Sequence, residues 1–135
     1  MNGVERCRLL ELPRIKDVRG SLSFVEQENT LFPIKRVYWI YDVPGGERRG
    51  AHGYRELEEV VIALSGSFDV VIDDGRTTTV TTLNRAYIGL YVPNMLWRTL
   101  ENFSTNGVAL VLASRPYDER DYIRNYDEFC ALANS

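Results

Sequence analysis

Apolar and polar positions along this chain alternate in short runs, and turn residues interrupt the runs roughly every ten positions. Lys35–Val43 is rich in Val, Ile, Tyr and Trp and stops at Pro44-Gly45-Gly46. Glu58–Leu64 leads to Ser65-Gly66, and Ser67–Asp73 leads to Asp74-Gly75. An Asp-Gly pair between two such runs predicts a hairpin, because glycine adopts the positive φ that a tight turn needs. Arg76–Leu83 intersperses threonines with other residues, the pattern of a partly exposed strand. Ala86–Val92, Trp97–Phe103 and Val108–Ala113 complete the series. Many short strands at this spacing build a sandwich or a barrel.

The period changes after Pro116-Tyr117-Asp118. Tyr122, Ile123, Tyr126, Phe129 and Cys130 recur at helical spacing, which predicts one amphipathic helix over Glu119–Leu132, packed on the outside of the barrel. Asp118 reads as its N-cap. Asp121 stands three residues on, where an acid suits a helix N-terminus.

At 135 residues, the chain predicts one domain with a single core. A net charge of -3 with scattered Lys and Arg excludes a basic face for nucleic acid, although two or three local arginines suffice for one phosphorylated small molecule. The apolar runs fall well short of the roughly 20 residues of a membrane span. The N-terminus lacks the apolar stretch of a signal peptide. Cys7 and Cys130 read as free thiols of a cytoplasmic protein, with a disulfide as the alternative.

The chain has a single histidine, and its setting carries the chemistry. Gly46-Glu-Arg-Arg-Gly-Ala-His52-Gly-Tyr54, then Glu59, then Gly66, follows the spacing of the first cupin motif, G-x5-H-x-H-x4-E-x6-G. Tyr54 stands at the second histidine. Pro93, Met95, Arg98 and Asn102 trace the second motif, P-x-G-x2-H-x3-N, with Arg98 at its histidine. Of the four positions where a cupin holds metal, His52 and Glu59 alone retain ligand-type side chains, so neither metal nor other cofactor is expected. Such a pocket works with side chains alone. His52 is its candidate base, because imidazole titrates near about 6.5. The alternative is a core histidine satisfied by hydrogen bonds.

Longer stretches carry a resemblance. Ile34-Lys-Arg-Val-Tyr38, Arg49-Gly-Ala-His52, Asp73-Asp-Gly75, Gly89-Leu-Tyr-Val92, Trp97, Val111-Leu-Ala-Ser114 and Tyr117-Asp-Glu-Arg-Asp-Tyr-Ile-Arg-Asn-Tyr126 resemble the sugar nucleotide 3,4-ketoisomerases. These are metal-free cupins acting on dTDP-4-keto-6-deoxyglucose. The similarity runs from about Asp17 to Phe129. It implies an all-β cupin jelly roll with one C-terminal helix, and a homodimer with exchanged N-terminal strands. It implies a cofactor-free carbonyl shift from C4 to C3 through an enediol, serving 3-amino-3,6-dideoxy sugars of lipopolysaccharide or S-layer glycans. It also implies an Arg-Gly-x-His-x-His motif, from which this chain departs at Tyr54.

The candidate residues follow. His52 is the base. Tyr38 matches an active-site tyrosine of the family, and a phenol donates well to an oxygen that gains charge. Trp39 should face the other way by strand alternation. Tyr54, two residues after His52, should share its cavity and either donate to the enediol or simply fill the pocket. Arg19 and Arg98 match pocket positions of the family. Arg36 and Arg49 are candidates for the diphosphate, which arginine grips bidentately; surface salt bridges are the alternative. Glu59 is expected as a hydrogen-bond partner that orients either His52 or an arginine. Two other functions fit the same residues: a non-catalytic dTDP-sugar-binding cupin, and a C3/C5 epimerase of the same substrate.

Overall fold

The computed structural model describes residues 3–135. Its strands are β1 (Arg8–Glu11), β2 (Arg14–Asp17), β3 (Gly20–Ser23), β4 (Arg36–Ile40), β5 (Arg49–Tyr54) and β6 (Glu59–Ser65). They continue with β7 (Phe68–Asp73), β8 (Thr78–Leu83), β9 (Ile88–Val92), β10 (Trp97–Glu101), β11 (Val108–Ala113) and β12 (Tyr122–Ile123). One helix, α1 (Tyr126–Ala133), follows. The first sheet runs β1-β9-β6-β11-β4 and the second β12-β5-β10-β7-β8. Neighbours in both are antiparallel, and two such facing sheets make the jelly roll.

Side-chain alternation explains the layers. In β7, Phe68, Val70 and Ile72 are buried while the residues between them are part-exposed. They meet Val61, Ala63, Leu90, Leu100 and Val111 in the space between the sheets. Burying one such side chain stabilises by about 1.5–3 kcal/mol. β6 is covered on both faces. Val61 and Ala63 look inward, whereas Val60 and Ile62 pack outside against Leu12, Phe32 and Leu112. The threonine-rich β8 lies at the sheet edge and is mostly exposed. Its turn uses Gly75 at φ 91°, and the Asp74 carboxylate accepts from the amides of Arg76 and Thr77 at 2.9 and 2.7 Å.

The C-terminal segment departs from the expected helix over Glu119–Leu132. Glu119–Asp121 is a single 3-10 turn, Tyr122–Ile123 is a strand, and the helix occupies Tyr126–Ala133. Sheet pairing overrides the helical period here: Tyr122 pairs with Tyr54 and Ile123 with Gly53. Asp118 does cap, but it caps the 3-10 turn, accepting from the Arg120 amide. Asn125 caps α1 by accepting from the Glu128 amide at 2.8 Å. Asp121 serves no helix. Its buried carboxylate accepts from the amides of Glu56 and Leu57 at 2.7 and 3.1 Å, which ties the segment to the β5–β6 turn.

The β2–β3 hairpin joins neither main sheet. Ile15, Val18 and Leu22 on it are exposed, as are Leu9, Val37, Trp39 and Leu64 on the first sheet. Cys7 and Cys130 are both free thiols. Among the described residues, no helix is long and apolar enough to cross a membrane.

Candidate active site

The site grows from one irregularity in β5. His52 pairs with Arg98, but Gly50 pairs with Thr99, so Ala51 is an extra residue in the ladder. Ala51 has φ 56° and Gly50 has φ 90°, left-handed values that bulges use to re-aim a strand. Gly50 also leaves room. A Cβ there would lie 2.7 Å from Nη1 of Arg98, so the guanidinium rests on bare backbone.

Arg98 is buried to 1%, and so is Glu59. Arg98 Nε donates to Glu59 Oε1 at 2.5 Å, and Nη2 donates to Oε2 at 3.0 Å. The same Nη2 donates to the Tyr38 hydroxyl at 2.9 Å, and that hydroxyl donates to Glu59 Oε2 at 3.3 Å. Both carboxylate oxygens are therefore engaged by a fixed cation, and both residues stand at positions where the cupin motifs carry metal ligands. Burial works against the Arg98 charge, but Glu59 outweighs it and keeps the guanidinium charged. Burial and the Glu59 charge push Tyr38 up to about 12, which makes it a donor rather than a base. Of the two expected roles for Glu59, the geometry realises the arginine.

His52 is 7% exposed. Burial first, then the Arg98 charge, lower its imidazole to about 4, so it is neutral and free to accept a proton near pH 7. Tyr54 lies on the same side of β5, its ring centroid 4.8 Å from His52. Its hydroxyl donates to that of Tyr122 at 3.4 Å. Burial and nearby Glu59 raise Tyr54 far above the ordinary phenol range. It can donate hydrogen bonds but cannot act as a neutral-pH base.

The cavity in front of these groups measures about 450 Å³ and is lined by His52, Tyr38, Tyr54, Arg98 and Tyr122, with Arg36, Arg48, Arg49 and Arg124 among the other lining residues. Arg36 lies over the Tyr38 ring at 4.5 Å and near Tyr117 at 5.3 Å, and its buried Nη1 has no partner. Arg48 pairs with Glu101 and Arg124 with Glu119. Arg49 is exposed and makes no ion pair among the described residues. Trp39 is 58% exposed, as alternation requires, yet it also borders the cavity, so the expectation that it lies wholly away from the pocket does not hold.

The fold brings His52, Tyr38, Tyr54, Arg36, Arg49, Arg98 and Glu59 together. It does not bring Arg19. That residue sits at the tip of the β2–β3 hairpin, 2.7 Å from Asp17, because the hairpin stands outside both sheets. Conversely, sequence reading missed Tyr122, Arg48 and Arg124. Tyr122 and Arg124 fall within the helix that the sequence predicts, whereas Tyr122 lies in β12 and Arg124 follows it with its guanidinium over the Tyr122 ring.

Comparison with known proteins places this architecture. The family described as WxcM-like, C-terminal (FdtA) matches residues 5–134. A TDP-4-oxo-6-deoxy-alpha-D-glucose-3,4-oxoisomerase from Aneurinibacillus thermoaerophilus is 45% identical over 123 residues, which is 90% of this chain and 88% of that one. A 3,4-ketoisomerase from Helicobacter canadensis superposes with TM-score 0.92 at 43% identity, over 96% of this chain and 98% of that one. QdtA, a sugar 3,4-ketoisomerase from Thermoanaerobacterium thermosaccharolyticum solved with TDP, gives TM-score 0.95 at 36% identity, over 97% and 96%. The fold and site thus define a cupin in which two of the motif's ligand positions hold an arginine–carboxylate pair. Within that class, the chain belongs to the WxcM-like FdtA family. The 3'-monoepimerase ChmJ from Streptomyces bikiniensis, at 16% identity and TM-score 0.76, shares the fold alone.

Proposed function

We propose that the protein is a dTDP-4-keto-6-deoxyglucose 3,4-ketoisomerase that works through His52 without a cofactor. One observation carries the reading. The sole histidine is neutral at working pH and opens on a cavity that also presents a fixed guanidinium and a buried phenol. His52 removes the proton from C3, and the electron pair moves to the C4 carbonyl oxygen. Arg98 and Tyr38 face the negative charge that develops there. The resulting enediol collapses in the other direction. The proton on His52 goes to C4, the hydroxyl proton of O3 is lost to O4 through Tyr38 or Tyr54, and a C3 ketone remains. Arg36 and Arg49 grip the diphosphate at the rim.

We also propose a homodimer that exchanges N-terminal strands. The exposed apolar residues of the β2–β3 hairpin and first sheet support it. In such an exchange, Arg19 would serve the pocket of the partner subunit rather than its own.

Incubation with dTDP-4-keto-6-deoxyglucose in deuterated water, followed by NMR of the sugar, tests the function. A C3 ketone is expected, with deuterium at C4 in the measure that the proton on His52 exchanges with solvent before it is delivered. Exchange at C3 and C5 without carbonyl migration would indicate an epimerase, and binding without exchange a non-catalytic module.

A further inference from the structure

A catalytic histidine is commonly oriented by a hydrogen bond from its second ring nitrogen to a carboxylate or carbonyl. His52 has none: its Nδ1 is buried and unpartnered. The nearby carboxylate, Glu59, is committed to Arg98 through both oxygens. Two tyrosine rings stand in for that bond. The imidazole meets Tyr54 at 4.8 Å and Tyr122 at 5.0 Å, both edge-on, and the two tyrosines meet each other at 4.8 Å. Edge-to-face packing of this kind is directional.

We infer that Tyr122 is a positioning residue for His52, its ring closing an aromatic triangle that fixes the imidazole plane in place of a hydrogen-bonded carboxylate. This deepens the isomerase reading and rests on it for its kinetic part. Tyr54 comes with His52 from the same strand. Tyr122 comes from elsewhere in the chain and is itself held on three sides. It pairs with Tyr54 in the β12–β5 ladder. The neighbouring Asp121 carboxylate is tied to the amides of Glu56 and Leu57. The Arg124 guanidinium lies 4.2 Å over its ring and is forked onto Glu119 at 2.6 and 2.8 Å. A ring clamp restricts rotation but exerts no pull on the Nδ1 proton. It therefore aims the base without making it more basic. The charges that bear on His52 are Arg98 and Arg124 against Glu59 and Glu119.

Because the chain has one histidine, its imidazole gives one unambiguous set of NMR signals. The test compares the full-length protein with Tyr122→Phe, Tyr122→Leu and Tyr122→Ala. Tyr122→Phe keeps the ring, so its His52 titration should stay near 4 and its kcat within about threefold of wild type. Tyr122→Leu fills volume without an edge. Its titration should stay near 4, because burial and the Arg98 charge remain, but its ring signals should show added motion and kcat should fall about 10–100-fold, while KM and dTDP affinity change less than about threefold. Tyr122→Ala should repeat the added motion and the loss of kcat more strongly, and if it fails to fold the leucine variant decides. Unchanged ring motion and kcat in Tyr122→Leu would overturn the inference, and so would a titration that climbs toward 6.5, which would make Tyr122 a shield against solvent rather than a clamp. So would a loss in Tyr122→Phe equal to that in Tyr122→Leu, which would assign the role to the hydroxyl. If wild type proves not to isomerise, the functional reading fails separately, and the ring motion in the free protein alone decides on the clamp.

Discussion

Arg98 and His52 face each other across the β10–β5 ladder, and the arginine's charge adds to burial in lowering the imidazole to about 4. The base works unprotonated, so the ratio kcat/KM should stay level from neutrality down to about pH 5 and fall with a midpoint near 4. A midpoint near 6.5 would show a solvated histidine. Stability should follow the same group. Between pH 6.5 and 4 an unfolded chain takes up the proton before the folded one does. Stability is therefore lost as pH falls through that window, by up to about 3 kcal/mol. Urea midpoints for wild type and His52→Asn, compared at about pH 7 and pH 4.5, isolate this contribution.

Removing Glu59 should unfold the site rather than merely slow it. Glu59→Ala leaves Arg98 charged, buried and unpaired, a change that costs about 3–5 kcal/mol. Glu59→Gln keeps the shape and should cost less. Both are read from urea denaturation, and an unchanged midpoint for Glu59→Ala would contradict the pairing.

His52→Asn should lower kcat by about 10²–10⁴-fold, the scale of general acid–base catalysis, with dTDP binding nearly intact. Turnover that survives would overturn His52 as the proton shuttle. Tyr54→His restores the family motif. A faster rate would mark Tyr54 as a weakened substitute, whereas a slower rate or an altered C4 epimer would give it a protonating role of its own.

Arg49→Ala should weaken dTDP binding by about 1.5–3 kcal/mol, the scale of a lost charge-assisted hydrogen bond. Calorimetry at moderate salt measures it. An unchanged dissociation constant would place this arginine outside the site.

Light scattering at micromolar concentration should report twice the 15.5 kDa chain mass. A monomer would sink both the strand exchange and the pocket role of Arg19.

The jelly roll was legible because its strands alternate with period two and their turns carry Gly. The pocket was legible because His52, Glu59 and Arg98 kept the cupin spacing. Tyr122 was not. The spacing of Tyr122, Ile123, Tyr126 and Phe129 fits a helix, and only pairing with Tyr54, distant in sequence, overrides that local preference. Asp121 misled for a related reason. An acid near a presumed helix start looks like a dipole partner, and its true partners, the amides of Glu56 and Leu57, lie 65 and 64 residues away. Arg19 matched a pocket position by resemblance, but resemblance does not say which subunit's pocket a hairpin serves.

The cation beneath the cavity is part of the polypeptide. A bound ion can be lost to a chelator, exchanged for a competitor or oxidised in place, and its supply depends on the cell. The Arg98 guanidinium, pinned by Glu59 and seated against Gly50, is installed when the chain is translated and stays at full charge across the physiological range. The protein thus exchanges the adjustability of a replaceable ion for a charge whose occupancy is always complete.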